Sequence, residues 1–189
     1  MRSCPAPEMR TFLFAHGAGG GMNTPFMTAV ARGLEARGVD VLRFEFPYMK
    51  ARRRVPDREP VLLAAWRDVV AEHGGGAAVA IGGKSMGGRM ASMVADELGV
   101  RALVCFGYPF HPPGQPEKLR TKHLAALRTP ALIIQGERDP FGTPAEVNGY
   151  ELSPSIEIAW LPGDHSLKPR EKENIARAVD LAAAFIERH

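Results

Sequence analysis

Hydrophobic residues fall into six short runs, at about 10–16, 39–46, 77–83, 101–107, 130–136 and 156–161, separated by longer segments of helical period. Most of these runs are too continuously apolar to turn a side to water. Strands of that kind alternating with helices predict a parallel sheet covered on both faces. Two helical stripes stand out: Met86, Met90, Met93, Val94 and Leu98, and Ile175, Val179, Ala182 and Ile186. Both read as core-facing packing, the methionines included, rather than as a metal or cofactor box. Thr24-Pro25 supplies an N-cap and a first-turn proline for a helix that Gly38 closes, and Thr143-Pro-Ala-Glu146 has the spacing of a capping box.

Candidate chemistry lies where the strands end. Ala78-Val-Ala-Ile-Gly-Gly-Lys-Ser-Met-Gly-Gly-Arg89 runs an apolar strand into G-x-S-x-G and on into a helix. In that context the motif predicts a sharp strand-to-helix turn that lifts the Ser85 hydroxyl off the sheet edge as a nucleophile. A serine hydroxyl attacks poorly unless a base takes its proton, and the base needs a carboxylate to orient it. The run at 130–136 ends in a turn carrying Asp139, and the run at 156–161 ends in Pro162-Gly-Asp-His-Ser166. Since the carboxyl ends of parallel strands share one edge, Ser85, Asp139 and His165 can converge there. Taken alone, an aspartate in a turn holds its own turn and a loop histidine is a surface residue. Their joint occurrence, in the order nucleophile, acid, base and after the required strands, favours a triad.

The first strand runs into a glycine loop, His16-Gly-Ala-Gly-Gly-Gly21. Its backbone N–H at Ala18, with that of Met86 after the nucleophile, is placed to donate to a tetrahedral oxyanion. His16 reads as a brace for this loop. Glu137 is a weaker alternative to Asp139, and Asp164, adjacent to His165, is poorly directed to orient it.

Composition narrows the class. At 189 residues and 45% hydrophobic content the chain can bury a core without disulfides and reads as a single domain over 1–189. Its two cysteines, Cys4 and Cys105, form no plausible bridge or zinc pattern, and the absence of a signal or membrane-spanning run predicts a cytoplasmic location. With 24 basic against 21 acidic residues and no aromatic stacking surface, neither nucleic acid nor membrane is expected as a partner; the expected partner is a small-molecule substrate, and oligomeric state is left open. The local run Lys50-Ala-Arg-Arg-Arg54 reads first as a solvated loop. Where it overhangs the strand ends, it would favour a carboxylate- or phosphate-bearing substrate. A phosphate-binding loop ending at Gly83-Lys84-Ser85 would need glycine at position 78, which is Ala78, and loop where Val79-Ala-Ile81 reads as strand.

These motifs together resemble the α/β-hydrolases. They are similar in particular to small bacterial hydrolases related to testis-expressed protein 30 and to the third subunit of the regulatory nonspecific lethal complex. The resemblance spans nearly the whole chain. It rests on His16-Gly-Ala-Gly19, Phe46-Pro-Tyr-Met49, Gly82-Gly-Lys-Ser-Met-Gly-Gly-Arg89, Gly107-Tyr-Pro-Phe-His-Pro-Pro-Gly114, Gly136-Glu-Arg-Asp-Pro-Phe-Gly142 and Gly163-Asp-His-Ser166. It implies a Ser85/Asp139/His165 core and a minimal three-layer α/β-hydrolase fold of six mostly parallel strands, lacking the first two strands of the usual sheet and any cap domain. Tyr48, Met49, Phe110 and His111 are expected to line the pocket, with His111 more plausibly bracing its proline-rich loop. The expected function is a serine carboxylesterase on small acyl esters or thioesters, without cofactor or metal. The alternative is a binding or scaffold protein that keeps the fold without turnover.

Overall fold

In the computed structural model, which describes residues 10–189, all six runs form strands of one parallel sheet: β1 (Arg10–Ala15), β2 (Val39–Phe44), β3 (Val79–Lys84), β4 (Leu103–Phe106), β5 (Ala131–Gly136) and β6 (Ile156–Leu161). Their order is β2-β1-β3-β4-β5-β6. The chain steps outward from β1 to β2, then returns to lay β3 against the other side of β1, which makes the β1/β3 boundary a topological switch point. Register there pairs Thr11 with Val79 and Ala15 with Gly83, so the two strands end within one residue of each other.

Side-chain alternation splits the core between two faces. Leu13, Ile81, Cys105 and Ile133 point to one face, under α3 (Glu59–Glu72) and α4 (Met86–Leu98), where Leu62, Trp66, Met90 and Val94 are buried. Phe12, Phe14, Val104 and Ile134 point to the other, under α1 (Pro25–Glu35) and α6 (Glu171–Arg188), where Met27, Leu34, Val179 and Ile186 are buried. Both stripes read from the sequence are thus core faces. Burying an aliphatic or aromatic side chain contributes about 1.5–3 kcal/mol, and the two clusters hold most of this stabilisation.

The helix starts follow local chemistry. Thr24 caps α1, its hydroxyl accepting from the Met27 N–H, with Pro25 in the first turn. Gly38 follows α1 at φ 80, as a closing glycine should. At α5 (Pro144–Val147) the Thr143 N–H donates to Glu146 Oε2 at 2.8 Å, completing the capping box. Two short pieces escaped the periodicity: α2 (Pro47–Lys50) and the irregular segment from Gly107 to Thr129, which holds a single 3₁₀ turn at Leu124–Ala126. That segment is anchored on α4, where His123 Nε2 bonds Ser92 Oγ at 2.8 Å. Cys105 is buried with a free thiol, and Cys4 lies outside the described residues. Among the described residues no helix is long and apolar enough to cross a membrane.

Candidate active site

His16, Ser85, Asp139 and His165 all lie within a few residues of the carboxyl end of a strand. β3 ends at Lys84, and Ser85 occupies the turn before α4 at φ 51, ψ −116, a backbone conformation that non-glycine residues rarely adopt. This tight turn depends on its glycines. A Cβ at Gly83 would stand 2.6 Å from the Ala15 carbonyl oxygen and from the Gly87 carbonyl carbon, and one at Gly87 would stand 2.6 Å from the Ala15 and His16 oxygens. The turn thereby presses against the glycine loop after β1. Met86 is the first residue of α4, so its N–H has no acceptor within the helix.

His165 and Asp139 come together from neighbouring strands. Nδ1 of His165 donates to Asp139 Oδ2 at 2.7 Å, and because an ionised carboxylate only accepts, this bond fixes the proton on Nδ1 and leaves Nε2 free to act as a base. The His165 side chain keeps 19% of its surface while Asp139 is fully buried. Asp139 is held by two more donors, the Phe141 N–H to Oδ1 and Gln135 Nε2 to Oδ2, both at 2.9 Å. The ring of Phe141 lies 4.4 Å from that of His165, limiting its rotation. Among the described residues no hydrogen bond joins Ser85 Oγ to His165.

Two residues that the sequence reading passed over prove central. Gln135 is fully buried, its Oε1 accepting from the Tyr108 N–H at 2.7 Å while its Nε2 serves Asp139, the Tyr108 carbonyl and the Gly142 carbonyl. The available signal was one amide inside an otherwise apolar strand, four residues before the acid. Lys84, adjacent to Ser85, donates from Nζ to the His165 carbonyl and lies over the Phe26 ring at 5.4 Å. Burial pulls its ammonium down to about 8, against the upward influence of Asp139 and Asp164.

His16 braces the glycine loop, as expected: Nδ1 donates to the Gly17 carbonyl at 2.8 Å and Nε2 accepts from the Phe46 N–H at 3.2 Å. Burial lowers its pKa, with the Gly17 hydrogen bond and Glu45 opposing. The neutral Nδ1–H form alone satisfies both contacts. Asp164 is occupied with its own turn, Oδ1 accepting from Ser166 and Lys168 N–H at 2.8 and 3.0 Å, and Glu137 is exposed without a link to His165.

The four residues expected to line a pocket are placed differently from one another. Met49 borders an open cleft with Ala18 of the glycine loop. Tyr48 and Phe110 are fully buried and His111 is 2% exposed. Tyr48 packs on His16 and reaches the Ala18 carbonyl at 3.4 Å, while Phe110 packs at a tilt against both Tyr108 and Tyr150. His111 braces its loop through the Pro112 carbonyl at 2.8 Å and approaches Glu146 at 3.5 Å. The proline-rich segment turns the aromatic side chains of Tyr108 and Phe110 into the interior. No group of three or more His, Cys, Asp or Glu side chains among the described residues could hold a metal ion.

Solved structures share this architecture. The esterase domain of a Rhodothermus marinus protein matches with a TM-score of 0.71 at 20% identity, covering 98% of this chain and 90% of that one. Esterase Pf2001 of Pyrococcus furiosus matches with a TM-score of 0.75 at 15% identity, over 96% and 84%. Est1E of Butyrivibrio proteoclasticus with ferulic acid bound matches with a TM-score of 0.74 at 16% identity, over 96% and 91%. At these identities the likeness is one of fold. Residues 8–187 match the alpha/beta hydrolase domain family, and the chain belongs to it.

Proposed function

We propose that this chain is a serine hydrolase of carboxylic esters, working through an acyl-enzyme on small acyl esters or thioesters. One observation carries the reading: the 2.7 Å bond between His165 Nδ1 and the buried Asp139 holds the imidazole at the sheet edge where Ser85 occupies its constrained turn. His165 takes the Ser85 proton as Oγ attacks the carbonyl carbon, and the new oxyanion accepts from the N–H groups of Ala18 and Met86. Asp139 offsets the charge of the imidazolium. His165 returns the proton to the leaving alcohol, and water, activated by the same base, releases the acyl group. The finer kinship with testis-expressed protein 30 and the third subunit of the regulatory nonspecific lethal complex, carried by the Tyr108–Gly114 block, is part of this proposal.

A second reading, a binding protein that keeps the fold without turnover, has one observation in its favour, the missing Ser85–His165 hydrogen bond. Such contacts commonly tighten only when substrate is bound. The two readings part on intact-mass labelling with a fluorophosphonate. One adduct on wild type and none on Ser85→Ala, followed by turnover of p-nitrophenyl esters, is the expected result; no adduct on folded wild-type protein supports the binding module.

A further inference from the structure

Beside the glycine loop the surface opens into a cleft of about 550 Å³ bordered by Ala18, Glu45, Met49 and the three arginines Arg52, Arg53 and Arg54. Ala18 is also the candidate oxyanion donor. Its neighbour Gly17 lies so close to the nucleophile turn that a Cβ there would stand 3.5 Å from Ser85 Cβ. The cleft thus begins one residue along the glycine loop from its contact with Ser85.

The arginine wall has a fixed backbone. α2 ends in a paired turn in which the Arg53 N–H donates to the Tyr48 carbonyl at 2.8 Å and the Arg52 N–H to the Met49 carbonyl at 2.9 Å. Arg52 takes the left-handed position of that turn at φ 55, the place usually given to glycine. Retaining a bulky cation at a position that favours glycine points to a use for the side chain. Arg53 is engaged by Asp57 at 2.6 Å. Arg52 and Arg54, both exposed, have no carboxylate partner among the described residues. Glu45 also borders the cleft, and its charge would repel an anion from its own part of it, leaving the two unpaired guanidiniums as the place for one.

We propose that the cleft is a subsite for an anionic group on the substrate, a carboxylate or a phosphate, held by Arg52 and Arg54 while the ester carbonyl lies at Ser85. This rests on the hydrolase reading, and it narrows the substrate class to esters that carry such an anion. A guanidinium fork suits both oxyanions.

The test compares wild type with the double variant Arg52→Gly/Arg54→Gln, in which glycine suits the left-handed position and protects the fold. Two substrates are used, p-nitrophenyl hemisuccinate and the neutral p-nitrophenyl butyrate. Wild type should prefer the hemisuccinate in kcat/KM, and the double variant should lose about tenfold of that preference. In parallel, the Ser85→Ala protein is titrated calorimetrically with monomethyl succinate and with 2-acetoxyethyl phosphate. Binding of either, lost when the two arginines are also replaced, supports the subsite, and the tighter ligand tells carboxylate from phosphate. An unchanged preference together with no binding of either ligand overturns it. If neither ester is turned over, the hydrolase reading fails, and the titration alone decides the subsite.

Discussion

Replacing Asp139 by asparagine keeps its size and removes only a charge and an acceptor, and the surrounding bonds determine what must follow. The carboxylate accepts from three donors: His165 Nδ1 at 2.7 Å, and Gln135 Nε2 and the Phe141 N–H at 2.9 Å each. An amide has one acceptor end, so the other end of the substituted side chain would meet an N–H head on. Gln135 cannot rotate to relieve this, because its Oε1 already accepts from the Tyr108 N–H at 2.7 Å. If the amide oxygen faces Phe141, its NH₂ faces His165, the imidazole proton moves to Nε2, and the base is lost; the analogous change in a serine protease costs about 10⁴ in kcat. If the oxygen faces His165, the tautomer survives but the imidazolium loses its counter-charge, about 4 kcal/mol at an effective dielectric of 20, or roughly a thousandfold. Both orientations therefore predict a loss of about 10³ to 10⁴. One mismatched buried donor costs about 1–3 kcal/mol. At roughly 2–4 °C per kcal/mol for a chain of this size, melting falls by about 2–12 °C and the protein stays folded. The assay is kcat on a p-nitrophenyl ester, with circular dichroism to verify folding. A folded Asp139→Asn protein that keeps more than about a tenth of wild-type kcat refutes the assignment, and Glu137→Gln, expected to be inert, then becomes the variant to examine.

Gln135→Leu should be costly to stability, because it strands the buried Tyr108 N–H and takes a donor from Asp139; about 3 kcal/mol is expected, seen as a drop of roughly 6–12 °C in Tm, and an unchanged Tm would show that the network carries no load. His16 and His123 are both held neutral, His16 by burial and His123, pushed down to about 4, by burial and by Arg89. The unfolded chain protonates them near 6.5 while the fold resists, so their contribution is complete above pH 6.5 and is lost as pH falls toward their folded values. Tm should decline between pH 6.5 and 5 and less steeply in His123→Asn; a flat Tm over that interval contradicts the assignment. Lys84→Met removes the tether to the His165 carbonyl together with an enclosed charge. We expect about tenfold lower kcat at similar KM, with equal or higher Tm, and an unaltered kcat would limit Lys84 to packing.

Most of the fold could be read from the letters because strands buried on both faces announce themselves as apolar runs, and their ends at Ser85, Asp139 and His165 follow from parallel topology. The capping box at Thr143 and the closing Gly38 were legible for a similar reason, since each is a local bond or backbone requirement. The burial of Tyr48 and Phe110 was not, although the bracing role of His111 was. Periodicity says nothing about irregular segments, and aromatic residues next to a site look alike whether they face substrate or core. Gln135 and Lys84 were hidden for the opposite reason: their partners, Tyr108, Asp139 and the His165 carbonyl, lie outside their own strands, so the one local sign, an amide inside an apolar strand at Gln135, does not say what it serves.

The unequal burial of the three candidate residues bears on how such a protein could lose its chemistry. Ser85 and His165 reach the surface, and no described side chain depends on the Ser85 hydroxyl for a hydrogen bond. Asp139, fully buried, is a junction between β5, the turn at Phe141 and, through Gln135, the chain at Tyr108. Drift toward a purely binding role can therefore discard the serine at little structural cost, while the aspartate and its glutamine persist as struts. Among related chains, a retained aspartate at this place reports on folding, whereas serine and histidine retained together report on selection for turnover.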